Sequence, residues 1–255
     1  MSNTTIDAFL GDGLAIEQPR NGAHRSGIDA VLLAAAVPAK PGDDVVDLGS
    51  GVGVAGLCVA ARVGQVNLTL VERDADAAFL ARSNLERSEN SRHLRSARVL
   101  ETDVTQRGGA REAAGLVPKM ADHVLLNPPY YRPGEVRQSP NEARARAHVL
   151  TDEGIEPWIR TACALLKPRG TVTVIFRADG LMDLVSALSG RVGDIRVLPL
   201  HPEPGQPAYR IIVHGIQGSR APLSLLPGFT LHEGANKTFV KRADDIMRFG
   251  ARLSF

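Results

Sequence analysis

The sequence predicts an α/β fold: a doubly wound, mostly parallel sheet with one antiparallel strand near the C-terminus, preceded by a small N-terminal hairpin plus helix. The first observation is that short apolar runs alternate with helix-like segments from residue 44 to residue 188, which is typical of parallel strands joined by helices. The second is that a loop rich in proline and glycine, with no helix, joins the last two apolar runs. Strands joined in this way run antiparallel.

The N-terminal section is predicted from its alternation of apolar and polar residues. Residues 7–19 alternate around a Gly-Asp-Gly triplet, which predicts a β-hairpin. A polar stretch at residues 20–27 leads into an apolar run at residues 28–37, which we expect to be a helix that ends before Pro38.

The central elements follow in order along the chain. The predicted strands are residues 44–48, 66–72, 97–100, 121–126, 171–176, 195–200 and 208–215. The predicted helices are residues 54–62, 75–88, 152–166 and 181–188. Beyond residue 218 the pattern weakens and predicts an edge strand at residues 237–240 and a terminal helix at residues 242–250. Because no long linker interrupts the chain, we expect one domain, made of an N-terminal section (1–40), a core (41–216) and a C-terminal extension (217–255).

Composition limits the classes of protein that fit. The chain has 255 residues, 44% of them hydrophobic, and a formal charge of +2, so any contact with nucleic acid must come from a local patch. Of two arginine-rich runs, residues 82–98 are interpreted as a solvated face, whereas residues 132–146 adjoin a proline-rich turn. Cys58 and Cys163 form no metal motif or disulfide framework. With no secretory signal or membrane-spanning run, a cytoplasmic location is expected.

A glycine-rich loop connects the first core strand to its helix. Gly51, Gly53 and Gly56 match the dinucleotide-binding pattern G-x-G-x-x-G in the strand–loop–helix context that this pattern requires, so an oxidoreductase using a nicotinamide or flavin is one alternative. Asp47 argues against it, because a carboxylate at this strand end repels a pyrophosphate and suits a cationic ligand with an amino group, such as S-adenosylmethionine (SAM). Gly49 is a further small residue that lets the backbone approach a ligand.

Two more acidic residues end the second and third core strands. Glu72 can accept hydrogen bonds from the ribose hydroxyls that SAM and NAD share. Asp103 can accept from an adenine amino group while Val104 covers the ring, although aspartate at a strand end also caps turns. Ligands of this fold class bind beyond the carboxyl ends of the parallel strands, so these acids predict a nucleoside site at that edge.

The fourth core strand runs into the turn Asn127-Pro128-Pro129-Tyr130. We expect this turn to hold an amino group whose lone pair is delocalised into a ring or a carbonyl. The side-chain oxygen of Asn127 and the carbonyl of Pro128 would accept its two hydrogens, and Tyr130 would stack on the planar group. The prolines would keep the geometry rigid. The turn therefore predicts methylation of an amino group without a strong base, and an ordinary proline turn capped by Asn127 is the structural alternative.

Taken together, the glycine loop (residues 47–53) and the Asn-Pro-Pro-Tyr turn resemble those of class I SAM-dependent amino-methyltransferases. Residues 18–33 and 139–148 are similar to the matching segments of bacterial valine-tRNA adenine-N6 methyltransferases, and the resemblance extends from about residue 7 to residue 208. It implies a Rossmann-like methyltransferase sheet whose N-terminal section covers the cofactor, with Arg25, Ser26 and Asp29 as contacts. The segment after Gly218 is less similar.

The candidate residues form two sets. The expected cofactor contacts are Arg25, Ser26, Asp29, Asp47, Gly49, Ser50, Gly51, Gly53, Glu72, Asp103, Val104 and Asn127. The expected catalytic residues are Asn127, Pro128, Pro129 and Tyr130, and no metal is expected.

The resemblance implies that the substrate is adenine in RNA, with tRNA expected. A base in folded RNA must be unstacked to reach such a site, where Tyr130 and Tyr131 would hold it. The expected phosphate contacts are Arg132, Arg137, Arg144 and Arg146. The sequence predicts no oligomeric state.

Three alternatives remain open. A glutamine-N5 protein methyltransferase uses the same chemistry, but we expect it to carry a longer N-terminal extension than the fewer than about 45 residues ahead of the core. A dinucleotide-dependent oxidoreductase would bind NAD and not SAM. A non-catalytic protein with this fold would bind SAM without transferring a methyl group.

Overall fold

The computed structural model describes residues 4–20, 27–130, 154–234 and 238–254. Its strands are β1 (Thr4–Phe9), β2 (Leu14–Pro19), β3 (Asp44–Leu48), β4 (Val66–Glu72), β5 (Leu94–Glu101), β6 (Ala121–Leu126), β7 (Leu166–Arg177), β8 (Val192–His201), β9 (Arg210–Gln217), β10 (Ser224–Leu225), β11 (Phe229–Thr230), β12 (His232–Glu233) and β13 (Thr238–Phe239). Its helices are α1 (Ile28–Ala36), α2 (Val54–Val63), α3 (Ala75–Glu86), α4 (Ser88–Ser91), α5 (Gly108–Ala113), α6 (Glu156–Leu165), α7 (Leu181–Leu188) and α8 (Lys241–Phe249).

The described strands of the central sheet follow the order β10-β8-β9-β7-β6-β3-β4-β5, and β11 also pairs with β8. Strands β3 to β7 pair with one another in parallel, whereas β9 is antiparallel to both β7 and β8. This confirms the predicted mostly parallel α/β sheet with one antiparallel strand. The carboxyl ends of β3 to β7 therefore meet at one edge, and β9 begins at the same edge.

The sheet lies between two apolar layers. Residues of α1 and α2 pack on one face together with Val45, and residues of α6 and α7 pack on the other face together with Val46. Successive side chains of a strand point to opposite faces, so the apolar run in β3 supplies both layers. The first layer also includes Leu14 from β2 and Leu253 from the C-terminal segment.

Two buried asparagines hold the predicted N-terminal hairpin, β1–β2, against α3 and α4. The side-chain amide of Asn84 accepts from Glu17 N at 2.8 Å and donates to Glu17 O at 3.0 Å. The amide of Asn90 accepts from Ala15 N at 3.1 Å and donates to Ala15 O at 2.9 Å. Each side-chain amide thus makes the two hydrogen bonds that a neighbouring strand would make. It satisfies backbone N–H and C=O groups along the edge of β2 that does not pair with β1.

The C-terminal extension returns to the N-terminal half of the chain. Helix α8 packs on α1, and the backbone N–H of Leu253 donates to Ala35 O at 2.9 Å. The predicted terminal helix is confirmed as α8. The predicted edge strand at residues 237–240 is present as β13, which pairs antiparallel with β12 in a separate two-stranded sheet.

Other boundaries also differ from those predicted. The predicted helix at residues 152–166 starts at Glu156 where it is described, and the chain passes from it directly into β7 at Leu166. Pro168 and Gly170 follow the end of this helix and lie in an irregularity of β7, where the pairing with β6 shifts register. Strand β5 is longer than predicted, and the short helices α4 and α5 were not predicted. Within the described ranges, no helix has the length and apolar character needed to cross a bilayer.

Candidate active site

The predicted site residues that the structure describes lie mainly at the carboxyl edge of the sheet. Asp47 is the penultimate residue of β3, Glu72 ends β4, Asp103 follows β5 and Asn127 follows β6. Because these four strands are parallel neighbours, their ends form one continuous row.

The glycine loop turns back on β4 before it enters α2. The backbone N–H groups of Gly49 and Ser50 both donate to Val71 O, at 2.8 and 3.0 Å. Gly51 has a positive φ of 55°, and a side chain at this position would meet nothing within 4 Å. The loop therefore leaves open space at Gly51, where a ligand can approach the backbone.

The other predicted glycines serve packing. A Cβ on Gly49 would lie 2.6 Å from the indole of Trp158, and one on Gly53 would lie 2.7 Å from Leu70. Gly49 was expected to admit a ligand, but the space beside its Cα is filled by Trp158 of α6. Sequence reasoning missed Trp158, because nothing in the helical pattern of α6 distinguishes it from a core residue.

Asp47 is a buried carboxylate with 2% of its surface exposed. Its Oδ2 accepts a hydrogen bond of 2.8 Å from Gly56 N in the first turn of α2. Burial raises its pKa to about 7, the bond from Gly56 opposes that rise, and the nearby charge of Glu72 adds to it. A small change in the surroundings of Asp47, such as an added positive charge, would therefore change its protonation near neutral pH.

Glu72 joins the glycine loop to the turn before α3. Its Oε2 accepts from Gly51 N at 2.9 Å, and its Oε1 accepts from Arg73 N and Asp74 N, both at 2.8 Å. Ser50 is also buried here, and its Oγ has no hydrogen-bond partner among the described residues. A buried hydroxyl without a partner is unfavourable, so the loop is suited to a polar ligand that supplies one.

Asp103 forms a local turn after β5. Its Oδ1 accepts from the backbone N and the Oγ1 of Thr105, both at 2.7 Å, and its Oδ2 lies 3.6 Å from Arg73 Nη1. The next residue, Val104, is buried, and its carbonyl accepts a 2.7 Å hydrogen bond from Thr161 in α6. One carboxylate oxygen of Asp103 thus caps a turn, while the other lies near an arginine.

The turn after β6 contacts two residues from distant segments. Tyr130 Oη lies 2.6 Å from Asn127 Oδ1 and 2.9 Å from Asp29 Oδ2. Arg210 donates from Nε to Asp29 Oδ2 at 2.9 Å, and its guanidinium carbon lies 4.4 Å from the centroid of the Tyr130 ring. Burial, together with the charge of Asp29, raises the pKa of Tyr130 well above its usual value, so its hydroxyl stays protonated.

These contacts change two expectations about side chains. Tyr130 was expected to offer its ring to a planar group, but Arg210 covers one face and Phe176 contacts it edge-on at 5.9 Å. Asp29 was expected to contact the cofactor, and its carboxylate binds Tyr130 and Arg210. Sequence reasoning missed Arg210, which reaches this edge only because β9 runs antiparallel and pairs Arg210 with Arg177.

Some of the remaining predicted site residues lie within the ranges that the structure describes, and others lie outside them. Pro128 is buried and Pro129 half-buried, between Asn127 and Tyr130. Residues outside the described ranges are Arg25, Ser26, Tyr131, Arg132, Arg137, Arg144 and Arg146. Among the described residues, no group of three or more His, Cys, Asp and Glu side chains is arranged to hold a metal ion.

Comparison with known families gives one match over most of the chain. The family model described as "Methyltransferase small domain" matches residues 24–198. The crystal structure of a predicted O-methyltransferase from Agrobacterium tumefaciens is 34% identical, with a TM-score of 0.75 over 89% of this chain and 99% of that chain.

Curated relatives are also similar. A tRNA1(Val) (adenine(37)-N6)-methyltransferase of Shewanella sp. (strain W3-18-1) is 30% identical over 162 residues, which cover 63% of each protein. A protein with the same name from Porphyromonas gingivalis is 29% identical over 194 residues, covering 71% of this chain and 72% of the relative. The match spans less than two thirds of the Shewanella protein's length. The Agrobacterium protein is named for methyl transfer to oxygen, whereas the curated relatives are named for transfer to nitrogen.

Proposed function

This chain belongs to the methyltransferase small domain family, and we propose that it transfers the methyl group of SAM to the exocyclic amino group of adenine in RNA, with tRNA as the substrate. The observation that carries this proposal is the turn Asn127-Pro128-Pro129-Tyr130. It places a partly exposed amide at the end of β6, beside β3 and its glycine loop.

The site fits the cofactor through its own polar groups. The buried Oγ of Ser50 without a described partner and the open space at Gly51 suit a polar ligand against the loop. Glu72 would accept from the ribose hydroxyls, and Asp47 would complement the positive charge of the amino group. Asp103 and Val104 would hold the adenine. Arg25, Ser26 and Asp29 stay proposed contacts from the sequence. SAM, when bound, supplies an electrophilic methyl group.

An amino group is the acceptor that this turn fits best. The Oδ1 of Asn127 and the carbonyl of Pro128 are two acceptors, which match the two hydrogens of an exocyclic amine. Holding both hydrogens turns the nitrogen lone pair out of conjugation with the ring and toward the methyl group. A hydroxyl has one hydrogen and needs a base. Because the hydroxyl of Tyr130 stays protonated, it does not supply that base.

The names of the curated relatives support adenine over glutamine, and the family match does not favour the dinucleotide alternative. We place the phosphate contacts at Arg132, Arg137, Arg144 and Arg146, as the sequence suggests, and the enzyme in the cytoplasm. The shared apolar layer of Leu14, α1 and Leu253 supports a single domain across residues 1–255.

The test is to incubate the protein with labelled SAM and total bacterial RNA, DNA or protein, and then to analyse the nucleosides and amino acids. We expect label in N6-methyladenosine from tRNA, and label formed about 10²–10³-fold more slowly with an Asn127→Ala variant that still binds SAM. Label in protein glutamine, with none in RNA, would contradict the proposed substrate. Binding of NAD without binding of SAM would contradict the reaction.

A further inference from the structure

Four side chains from three distant segments form a hydrogen-bonded chain at the carboxyl edge of the sheet. Arg210 at the start of β9 donates to Asp29 of α1 at 2.9 Å. Tyr130 Oη lies 2.9 Å from the same oxygen of Asp29 and 2.6 Å from Asn127 Oδ1. In the proposed function, Asn127 Oδ1 accepts a hydrogen bond from the amino group of the substrate.

The hydroxyl of Tyr130 carries one proton and has two oxygen neighbours. Only one of them receives that proton at a time, and the 2.6 Å distance to Asn127 Oδ1 suits an O–H···O hydrogen bond. The competing oxygen, Asp29 Oδ2, already accepts from the Arg210 guanidinium. The positive charge of Arg210 therefore makes Asp29 Oδ2 a weaker acceptor for the tyrosine proton. The hydroxyl of Tyr130 then donates to Asn127 Oδ1.

This matters because an amide side chain has two different ends. With its oxygen toward the substrate, Asn127 accepts a hydrogen from the amine, but after a rotation of 180° its NH₂ group would oppose the amine with a second donor. A hydroxyl that donates to Oδ1 selects the first orientation. The carbonyl oxygen has two lone pairs, so one remains for the amine of the substrate.

The other contacts of Tyr130 keep its hydroxyl in place. The guanidinium of Arg210 covers one face of the ring at 4.4 Å, and Phe176 contacts the ring edge-on at 5.9 Å. Asp29 Oδ2 lies 2.9 Å from the hydroxyl oxygen and accepts from Arg210, so it fixes the guanidinium that packs on the Tyr130 ring.

We propose that Asp29 and Arg210 are positioning residues that act through Tyr130 to hold the side-chain amide of Asn127 with its oxygen turned to accept the amino group of the substrate. The inference rests on the proposed function for what Asn127 accepts. Asp29 then helps to orient the group that binds the substrate. The hydroxyl of Tyr130 orients Asn127, a role that is distinct from stacking of the Tyr130 ring.

The first test is kinetic. Tyr130→Phe keeps the ring and removes the hydroxyl, and Asp29→Asn removes the charge. Each is expected to lower kcat, measured at saturating SAM, by about threefold to tenfold, the value of one hydrogen bond, with the KM for RNA unchanged. Asp29→Asn is expected to have no further effect on kcat in the Tyr130→Phe background. Equal losses in both backgrounds, or a weaker SAM affinity with kcat unchanged, would overturn the proposal.

Matched variants separate positioning from folding. Arg210→Lys keeps a positive donor and is expected to recover much of the kcat that Arg210→Met loses. Tyr209→Phe removes a neighbouring phenol hydroxyl whose ring lies 5.2 Å from Arg210, and it is expected to leave kcat unchanged. If Arg210→Lys were no better than Arg210→Met while both melt at the parent temperature, the proposed role of Arg210 would be wrong.

A second test needs no substrate, so it remains informative if the proposed function fails. The side-chain NH₂ signals of ¹⁵N-labelled asparagine would be recorded, with the Asn127 pair assigned by its absence in Asn127→Ala. Tyr130→Phe and Asp29→Asn are both expected to shift that pair, and Tyr209→Phe is not. A pair that shifts in Tyr130→Phe but stays unmoved in Asp29→Asn would show that Asp29 does not act through Tyr130. Absence of RNA methylation by the parent, with these shifts present, would reject only the substrate.

Discussion

The carboxylate of Asp47 accepts a hydrogen bond of 2.8 Å from the backbone N–H of Gly56, so that a residue of β3 serves the first turn of α2. The N-cap residue of that helix, Gly53, has no side chain with which to satisfy these N–H groups. Asp47 takes over this role from a buried position, and burial raises its pKa from 3.8 to about 7.

We expect Asp47→Asn to change how stability depends on pH. Because the pKa of Asp47 is higher in the folded than in the unfolded state, its contribution is fully present below pH 3.8 and is lost as pH rises to about 7. The asparagine side chain of the variant does not titrate. The free energy of unfolding of the variant, relative to that of the parent, should therefore rise by on the order of 3 kcal/mol between pH 5 and pH 8. Urea unfolding of both proteins at several pH values measures this gain, and parallel profiles would contradict it.

Two glycines of the same loop should respond differently to alanine. Gly49→Ala places a methyl group 2.6 Å from the indole of Trp158 at a φ of 71°, which should cost about 2–4 kcal/mol of stability. Gly51→Ala meets no atom within 4 Å, so only its φ of 55° should cost stability, by about 1 kcal/mol.

The matched readouts are unfolding and SAM affinity. The chain contains one tryptophan, so the fluorescence of Trp158 should change in Gly49→Ala and not in Gly51→Ala. Gly51→Ala should weaken SAM binding, because its methyl group would project into the open part of the site. Equal SAM affinity in Gly51→Ala and the parent would place the cofactor elsewhere.

We expect Asn84 to couple the N-terminal hairpin to the glycine loop. Besides holding Glu17, its amide donates to Val52 O at 3.0 Å, whereas Asn90 holds Ala15 without a described contact to that loop. Asn84→Ala and Asn90→Ala should each destabilise the protein by about 2–4 kcal/mol, since buried backbone groups lose their partners. Calorimetric titration should show a weaker SAM affinity in Asn84→Ala than in Asn90→Ala, and an equal loss in both would argue against the coupling.

Replacing the proposed acceptor should abolish most of the methyl transfer. Asn127→Ala removes a group aimed at the reacting amine, so kcat should fall by about 10²–10³-fold, with the affinity for SAM unchanged. Single-turnover assays with labelled SAM measure the loss. Near-parent activity in Asn127→Ala would leave the turn with a structural role only.

RNA binding should depend on salt. If the arginines at residues 132–146 neutralise phosphates, the logarithm of the affinity should fall linearly with the logarithm of the salt concentration. Each of Arg132, Arg137, Arg144 and Arg146 replaced by alanine should reduce that slope by about one. Filter binding at several salt concentrations gives the slope, and an unchanged slope would place the phosphate contacts elsewhere.

Local signals predicted the fold and one part of the site. The alternation of strands and helices, the glycine loop and the proline turn are patterns of neighbouring residues, and each lies where the sequence indicated. Such patterns are readable because backbone sterics and the hydrophobic period act over a few residues. They failed for the short helices α4 and α5, because four and six residues are too few to show a helical period.

By itself the sequence determined the chemical groups of this protein: an amide held by prolines after one strand, a glycine loop after another, and acids at the strand ends. Only the tertiary structure decided which groups meet. Trp158 fills the space beside Gly49, and Asp29 and Arg210 reach Tyr130 across 101 and 80 positions of the chain. These contacts depend on sheet order and on the antiparallel direction of β9, which arise from packing among distant segments and leave no pattern in neighbouring residues.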